Sequence, residues 1–213
     1  MMRKLKYTQQ DQWESEARET QSPILIETAK LKAKKNQIVD GLKNYTATEL
    51  HKNYNSLSLA ANGKMEADQR SFQLEEVHFH HPAEHCFKGE ATPRLLEAHF
   101  VHYGRLRQPL VVSVTFKLGS KNATFEKILT AMDDNKVEQF ILLDDLIPKR
   151  GYFYHYIGSL TTPPLTEGVE WVVFEQAQMI DIDQLNHYMA TFKEQNNREL
   201  QKLNHRKIEK YEI

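Results

Sequence analysis

The chain has 213 residues, with 28 Lys and Arg against 29 Asp and Glu and a formal net charge of -1. This length fits one domain with a sizeable hydrophobic core, and the balanced charge gives no electrostatic case for nucleic-acid binding. No stretch approaches the roughly 18 apolar residues of a membrane span. Because Cys86 is the only cysteine, an intrachain disulfide is excluded and a cytoplasmic location is expected, although a removed leader would leave the same sequence.

The first half of the chain predicts a polar arm followed by strands. Residues 1–20 are polar and predict a surface arm, with residues 21–213 as a single folded domain. Short alternating runs fill residues 42–74, and Asn62-Gly63 within them is a strong turn signal. Apolar and polar residues also alternate through 71–81, which predicts one long strand.

The second half of the chain mixes strands with two helices. Residues 110–118 are rich in β-branched side chains and predict a buried strand, and 169–174 predict another. Residues 124–134 carry an apolar stripe at helical spacing, and Asp181 is a plausible cap for a second helix over 181–193. Many strands and two helices favour a mainly β domain of the α+β class. The apolar face predicted for the second helix consists of Ile182, Leu185, Met189 and Phe192.

Two segments with alternating histidines predict a metal site. In VHFHHPAEH, residues 77–85, His78 and His80 are two apart and share one face of a strand. In LLEAHFVH, residues 95–102, His99 can supply a third nitrogen from a neighbouring antiparallel strand. Three imidazoles with a fourth position for water are typical of catalytic zinc. His81, His85 and His102 are assigned either structural roles or roles in supporting the metal ligands through hydrogen bonds, with His81 the spare ligand if the register slips by one residue.

Acidic residues beside these histidines fit supporting roles. Neutral ligands leave the full charge on zinc, which brings the pKa of a bound water to about 7. Each ligating ring should give its other N–H to an acceptor. Glu97 stands two residues before His99, and Glu76 stands two before His78. The alternative is that both are exposed strand glutamates.

A hydroxide nucleophile must also be oriented toward its substrate. A threonine hydroxyl achieves this when it donates its own proton to a buried carboxylate, because an ionised carboxylate only accepts. Thr161 and Glu84 can form such a pair. From composition alone, Thr161 is part of a turn before prolines and Glu84 is a loop acid.

These motifs together resemble the α-class carbonic anhydrases. VHFHHPAEH is similar to the family's HFHW and SEH segments, EAHFVH to its ELHLVH segment, and GSLTTPPL to its SLTTPPL segment. QSPILI at 21–26 and NNRELQKLNHRKI at 196–208 extend the likeness over almost the whole chain. The resemblance implies the α-carbonic-anhydrase fold, a large twisted, mostly antiparallel sheet with short peripheral helices. It also implies that 21–213 is the catalytic domain, with cis bonds before Pro23 and Pro164.

The implied activity is that of a carbonate dehydratase, a zinc-dependent lyase that reversibly hydrates carbon dioxide to bicarbonate and a proton via zinc-bound hydroxide. The resemblance implies Zn²⁺ on His78, His80 and His99, with Thr161 backed by Glu84 as the orienting hydroxyl. It implies carbon dioxide or bicarbonate as the ligand and inhibition by sulfonamides and anions. The balanced charge and the lack of a long apolar stretch predict no nucleic-acid or membrane partner. The resemblance leaves undecided whether the chain forms a homodimer. The implied apolar substrate pocket consists of Val101, Val111, Leu160, Val169 and Trp171, with Thr162 at its mouth.

Several positions depart from the family pattern. The proton-shuttle histidine is missing, and the candidates at its place are Asn55 or, in another alignment, Lys64. Glu76 replaces a usual glutamine and His81 replaces a tryptophan. A slower, buffer-dependent turnover is therefore expected. The alternatives are a catalytically weak carbonic-anhydrase-like binding or scaffold protein, and hydrolysis of small esters as a side activity.

Overall fold

A computed structural model describes residues 5–15, 17–36 and 38–213. The helices are α1 (Ala123–Asp134) and α2 (Ile182–Thr191), with short 3-10 turns at Tyr7–Gln12, Thr28–Lys30 and Asp144–Leu146. None of the helices in these ranges has the length and apolar character needed to cross a membrane. The strands are β1 (Leu25–Ile26), β2 (Ala33–Lys34), β3 (Val39–Lys52), β4 (Leu57–Ala67), β5 (Arg70–His80), β6 (Cys86–Phe87), β7 (Leu96–Gly104), β8 (Pro109–Leu118), β9 (Ile141–Leu142), β10 (Tyr152–Ser159), β11 (Glu167–Phe174), β12 (Gln178–Ile180) and β13 (Glu209–Glu212).

One sheet of eleven strands dominates the fold, in the order β2-β13-β10-β11-β8-β7-β5-β4-β3-β9, with β12 beside β8. The central pairs β3–β4, β4–β5, β5–β7 and β7–β8 are antiparallel, whereas β11 and β12 run parallel to β8. The predicted mainly β, mostly antiparallel fold is confirmed. The arm boundary at residue 20 stays a prediction. The implied cis bonds at Ser22-Pro23 and Pro163-Pro164 are present, and His81-Pro82 is also cis.

Strand alternation decides which side chains of β5 face the core. Val77 and Phe79 are fully buried in a large apolar cluster that also holds Phe100, Phe116 and Phe125 of α1. Complete burial of one such side chain is worth about 1.5–3 kcal/mol. A slip of β5 by one residue would turn Val77 and Phe79 to the opposite face, so the core holds the register. The intervening histidines of β5 are thereby directed to the opposite face.

The predicted turn at Asn62-Gly63 is wrong, because β4 continues through it to Ala67. The chain instead turns at Asp68-Gln69, where φ is 47° and 61°, as two-residue hairpins require. A Cβ on Gly63 would lie 2.1 Å from Cδ1 of Tyr45. Glycine is needed here for the close approach of a buried ring and not for chain reversal.

The helix predicted over 181–193 is confirmed in its core and its cap, since Asp181 accepts a hydrogen bond from the Gln184 backbone N–H. Its predicted apolar face is partly wrong. Ile182 and Met189 are exposed, whereas Gln184 is buried because its amide donates to the Asn122 carbonyl. A polar bridge between the two helices therefore replaces part of the expected apolar stripe.

A buried pair on the core side of the sheet predicts an acid-sensitive stability. The hydroxyl of Tyr45 lies 2.7 Å from His102 Nε2, and His102 Nδ1 donates to the Phe100 carbonyl over 2.8 Å. Burial lowers the pKa of His102 to about 4, against about 6.5 in an unfolded chain. As the pH falls below 6.5, His102 binds a proton in the unfolded state but not in the folded state. The free energy of unfolding therefore decreases until the pH falls below the pKa of His102 in the folded state.

This difference amounts to about 2 kcal/mol of unfolding free energy between pH 7 and pH 5. The double variant Tyr45→Phe/His102→Leu replaces both polar partners by apolar ones, so it should lose about 2 kcal/mol less than the parent over the same interval. Urea unfolding of the metal-free proteins at both pH values measures this. Equal losses in the two proteins would show that His102 does not carry the effect.

Candidate metal centre

The register between β5 and β7 brings three histidines together. His78 lies opposite His99 in this pair, and His80 lies opposite Glu97. One ring nitrogen of each of His78, His80 and His99 lies within 4.8 Å of the other two. The ring centroids are 5.1, 5.2 and 4.5 Å apart for 78–80, 78–99 and 80–99. The three rings predicted as metal ligands therefore converge.

The second nitrogen of each ring is already committed to an acceptor. His78 Nδ1 donates to Glu76 Oε1 over 2.7 Å, His80 Nδ1 donates to the Asn196 carbonyl over 2.8 Å, and His99 Nε2 donates to Glu97 Oε1 over 2.8 Å. Since these partners can only accept, the remaining nitrogens carry lone pairs. His80 Nε2 is buried and has no hydrogen-bond partner among the described residues.

These lone pairs are suited to a metal ion. Burial lowers the pKa of His99 to about 4 and that of His80 well below its ordinary value. Both rings are therefore neutral near pH 7, the state that binds a metal. A buried, unpartnered imidazole nitrogen costs free energy unless something occupies it. The residues present thus fit zinc, for which three nitrogens and an open position are typical.

The Glu97 carboxylate is the centre of a buried hydrogen-bond network. Besides His99, it accepts from His85 Nδ1 and Ser113 Oγ, each over 2.6 Å, and from the backbone N–H groups of Glu84 and His85 over 2.7 Å. Burial alone would raise the pKa of Glu97, but His85 and His99 hold it well below its ordinary value. His85, Glu97 and His99 also lie close enough to share a metal ion, but here they are bonded to one another.

The other histidines near the motif point elsewhere. His81 Nδ1 donates to the Leu95 carbonyl over 3.0 Å, so the register is not slipped and His81 is not a spare ligand. His85 Nε2 accepts from the Tyr156 hydroxyl over 2.7 Å. His102 faces Tyr45 on the opposite side of the sheet. The structural or supporting roles of these three residues stay predictions.

Glu84 and Thr161 are both buried beside the histidines. Glu84 Oε1 accepts the Arg198 backbone N–H over 2.7 Å and lies 3.4 Å from His80 Nδ1. Burial and the charge of Glu97 hold the pKa of Glu84 well above its ordinary value, although the Arg198 backbone N–H and the nearby Thr161 side chain act in the opposite direction. Oε2 of Glu84 is buried and has no hydrogen-bond partner among the described residues. A positive charge near this carboxyl would favour its ionised form.

A cavity of about 300 Å³ opens over His78 and His80. Asn55 and Thr162 line it, whereas Lys64 does not. The assignment of Lys64 to proton transfer stays a prediction. Because β4 runs on past Gly63, Lys64 lies on a different surface depression and pairs with Glu66 over 3.7 Å.

The predicted apolar pocket is a continuous cluster on the same side of the sheet. Val101 pairs with Val111 across β7 and β8, and Val111 pairs with Trp171 of β11. The Trp171 ring lies 4.9 Å from that of His99. Val169 is buried in the same cluster and Leu160 packs against it. The five residues that the family resemblance implies for the substrate pocket thus lie in one apolar cluster, and Trp171 of that cluster lies beside His99.

Asn196 is a site residue that the motif analysis did not single out. Its carbonyl holds His80, its side-chain amide donates to the Phe79 carbonyl over 2.9 Å, and its side-chain oxygen accepts the His81 N–H. The only signal in the sequence was its position at the start of the family-like ending. Asn196 joins the C-terminal segment to β5 and orients the second histidine.

Comparisons with known proteins agree with this geometry. The family profile described as eukaryotic-type carbonic anhydrase matches residues 8–212. A carbonic anhydrase of Neisseria gonorrhoeae is 38% identical over 65% of this chain, which spans 56% of that protein's length. A carbonic anhydrase of Pectobacterium atrosepticum is 28% identical over 91% of this chain and 80% of its own.

A solved structure gives the same result. The α-carbonic anhydrase of Thermovibrio ammonificans, solved in complex with the inhibitor sulfanilamide, superposes with a TM-score of 0.80 at 31% identity and covers 90% of this chain and 87% of its own. The sequence match, the shared fold and the converging histidines are consistent with one another. This chain belongs to the eukaryotic-type carbonic anhydrase family.

Proposed function

We propose that this protein is a zinc-dependent carbonate dehydratase that interconverts carbon dioxide and water with bicarbonate and a proton. The observation that carries the proposal is the convergence of three imidazoles, one with a buried and unpartnered nitrogen, beside a buried acid and hydroxyl. His78 and His80 would hold zinc through Nε2, and His99 through Nδ1, because the other nitrogens are engaged. Zinc bound there supplies a Lewis acid that makes water acidic near pH 7.

Glu76 and Glu97 orient the ligand rings in this proposal. Each carboxylate receives the N–H of one histidine, which selects the tautomer and keeps the opposite nitrogen directed at the metal. Glu97 is itself held by His85 and Ser113. His99 is therefore supported through two layers of contacts, whereas His78 depends on a half-exposed carboxylate.

Thr161 and Glu84 determine, in this proposal, which partner donates the proton in the hydrogen bond between Thr161 and the nucleophile. When Glu84 is ionised, the Thr161 hydroxyl can only donate to it, so Thr161 Oγ1 offers a lone pair to the cavity. A nucleophilic oxygen that donates its proton to Thr161 is left with its own lone pair directed away from Thr161. Thr161 thereby orients the nucleophile toward carbon dioxide.

The apolar cluster around Trp171 binds the substrate in this scheme. Carbon dioxide is small and uncharged, so it requires an apolar wall and no strong polar partner. Val101, Val111, Val169 and Leu160 supply that wall beside His99. Bicarbonate is charged and is poorly held by such a surface, which favours product release. Thr162 lines the adjoining cavity and would border the substrate at its mouth.

A cytoplasmic location is also part of the proposal, supported by the single cysteine of the chain.

Asn55 occupies the cavity wall where a proton-accepting side chain would be useful, and its amide cannot titrate. The expected consequence is turnover that rises with buffer concentration. Stopped-flow rates that do not respond to added imidazole would contradict this expectation.

Metal analysis combined with a hydratase assay tests the function directly. The purified protein should contain one zinc per chain and should hydrate carbon dioxide, and sulfanilamide should inhibit it. Removal of the metal with a chelator should abolish activity, and added zinc should restore it. Stoichiometric zinc without hydratase activity would instead favour a binding or scaffold role.

A further inference from the structure

The proposed reaction releases one proton for every bicarbonate formed, and this proton must leave the cavity. Asn55 cannot carry it, because its amide does not titrate and its Nδ2 is bonded to the Leu5 carbonyl over 3.0 Å. Tyr7 lines the same cavity, but burial raises the pKa of its hydroxyl far above neutrality. Neither of these two cavity residues can therefore carry the proton away from the metal centre.

The strand register places a histidine next to Ser58, a residue that lines this cavity. His51 on β3 pairs with Ser58 on β4, and Ser58 pairs with His78 on β5. Residues paired across antiparallel strands project from the same face of a sheet. His51 therefore lies on the face that carries the metal centre. Two strand spacings put its backbone about 10 Å from that of His78.

The β4 side chains between His51 and His78 are small. In the adjacent row, Glu49 on β3 pairs with Ala60 on β4, and Ala60 pairs with Glu76 on β5. The two β4 residues that separate these long side chains, Ser58 and Ala60, are both small. Ser58 also lines the cavity. In these two rows, β4 therefore places only small side chains between β5 and His51.

Two carboxylates give this position a negative environment. Glu49 Oε2 lies 3.6 Å from His51 Nε2, and Glu76 interacts electrostatically with the His51 ring. Glu49 lies on β3, the same strand as His51, and Glu76 lies on β5. The β4 residues beside His51 are uncharged. The His51 side chain is 57% exposed, so its ring can exchange protons with solvent. Histidine is the side chain whose ordinary pKa, about 6.5, suits transfer near neutrality.

We infer that His51 is the proton carrier of this protein and replaces the side chain that Asn55 cannot provide. A ring nitrogen of neutral His51 accepts the proton released in the cavity, delivered through water, and the resulting imidazolium passes it to a buffer base. The neutral ring is then ready for the next turnover. This inference rests on the proposed hydratase function. It requires Glu76 only as a negative charge beside the path.

The test compares His51→Gln with His187→Gln, an exposed histidine on α2 that is likewise paired with an acid. A positioned proton-transfer group contributes about 10²–10⁴-fold, and an exposed ring at this distance should supply less. We expect kcat for carbon dioxide hydration in dilute buffer to fall about tenfold in His51→Gln. The ratio kcat/KM and the zinc content should be unchanged, because hydration itself precedes proton export. Imidazole should restore kcat, and His187→Gln should behave like the parent.

Each other outcome rejects a different statement. An active parent whose kcat in dilute buffer survives His51→Gln would overturn the inference alone. A fall in kcat/KM that imidazole does not restore would show a structural role and would overturn it too. A zinc-loaded parent without hydratase activity would reject the proposed function itself.

Discussion

His99→Ala should abolish zinc retention and, with it, all hydratase activity. His99 is the only one of the three histidines on β7, and its Nδ1 is left free because Nε2 donates to Glu97. Loss of an outer partner of a metal ligand typically weakens metal binding about 10–100-fold, so loss of a ligand should weaken it further. Metal analysis after dialysis against a chelator measures the retained zinc.

The matched control is His81→Ala, which removes a histidine from the same motif whose ring donates to a backbone carbonyl. This variant should keep its zinc. Glu97→Gln should lie between the two, because the ring orientation is weakened while all three nitrogens remain. Stoichiometric zinc in His99→Ala would show that the third ligand is another residue. Zinc loss in His81→Ala would point to a general failure of folding.

The histidine triad could be predicted because it depends on a local rule. Strand side chains alternate, so the spacing of His78 and His80 already places both rings on one face. The partner strand supplied His99 by the same rule, and burial of the intervening Val77 and Phe79 holds the register. Local periodicity is therefore sufficient for those parts of the site that lie on regular, half-buried strands.

Residues that reach the site from distant segments could not be predicted in this way. Asn196 contacts His80 across 116 positions of sequence, and no local pattern encodes such a contact. His51 lies two strands away from His78, and the irregular pairing of β3 with β4 hides the relation between the two residues. Asn62-Gly63 was a misleading turn signal, because glycine is required at position 63 by the close approach of the Tyr45 ring, which leaves no room for a Cβ. In each case, long-range packing decides what the local sequence leaves open.

Thr161→Val should lower kcat/KM about 100-fold while zinc retention stays unchanged. Valine is close in shape to threonine but has no hydroxyl, so the nucleophile would lose the group that directs its lone pair. Thr161 is buried and interacts with Glu84. Neither residue belongs to the histidine triad that would hold the metal. A 100-fold loss corresponds to about 2.7 kcal/mol of transition-state stabilisation. Stopped-flow hydration assays on metal-matched samples give this value.

A double-mutant cycle distinguishes an orienting pair from two independent residues. Glu84→Gln should reduce kcat/KM by a similar factor, because an amide can turn a donor toward Thr161 and reverse the polarity of the contact. If the two residues act as a unit, the double variant Thr161→Val/Glu84→Gln should be little worse than either single variant. Thr161→Ser keeps the hydroxyl and should retain most of the activity. Multiplicative losses in the double variant would mean that Glu84 acts through its contact with the Arg198 backbone and not through Thr161.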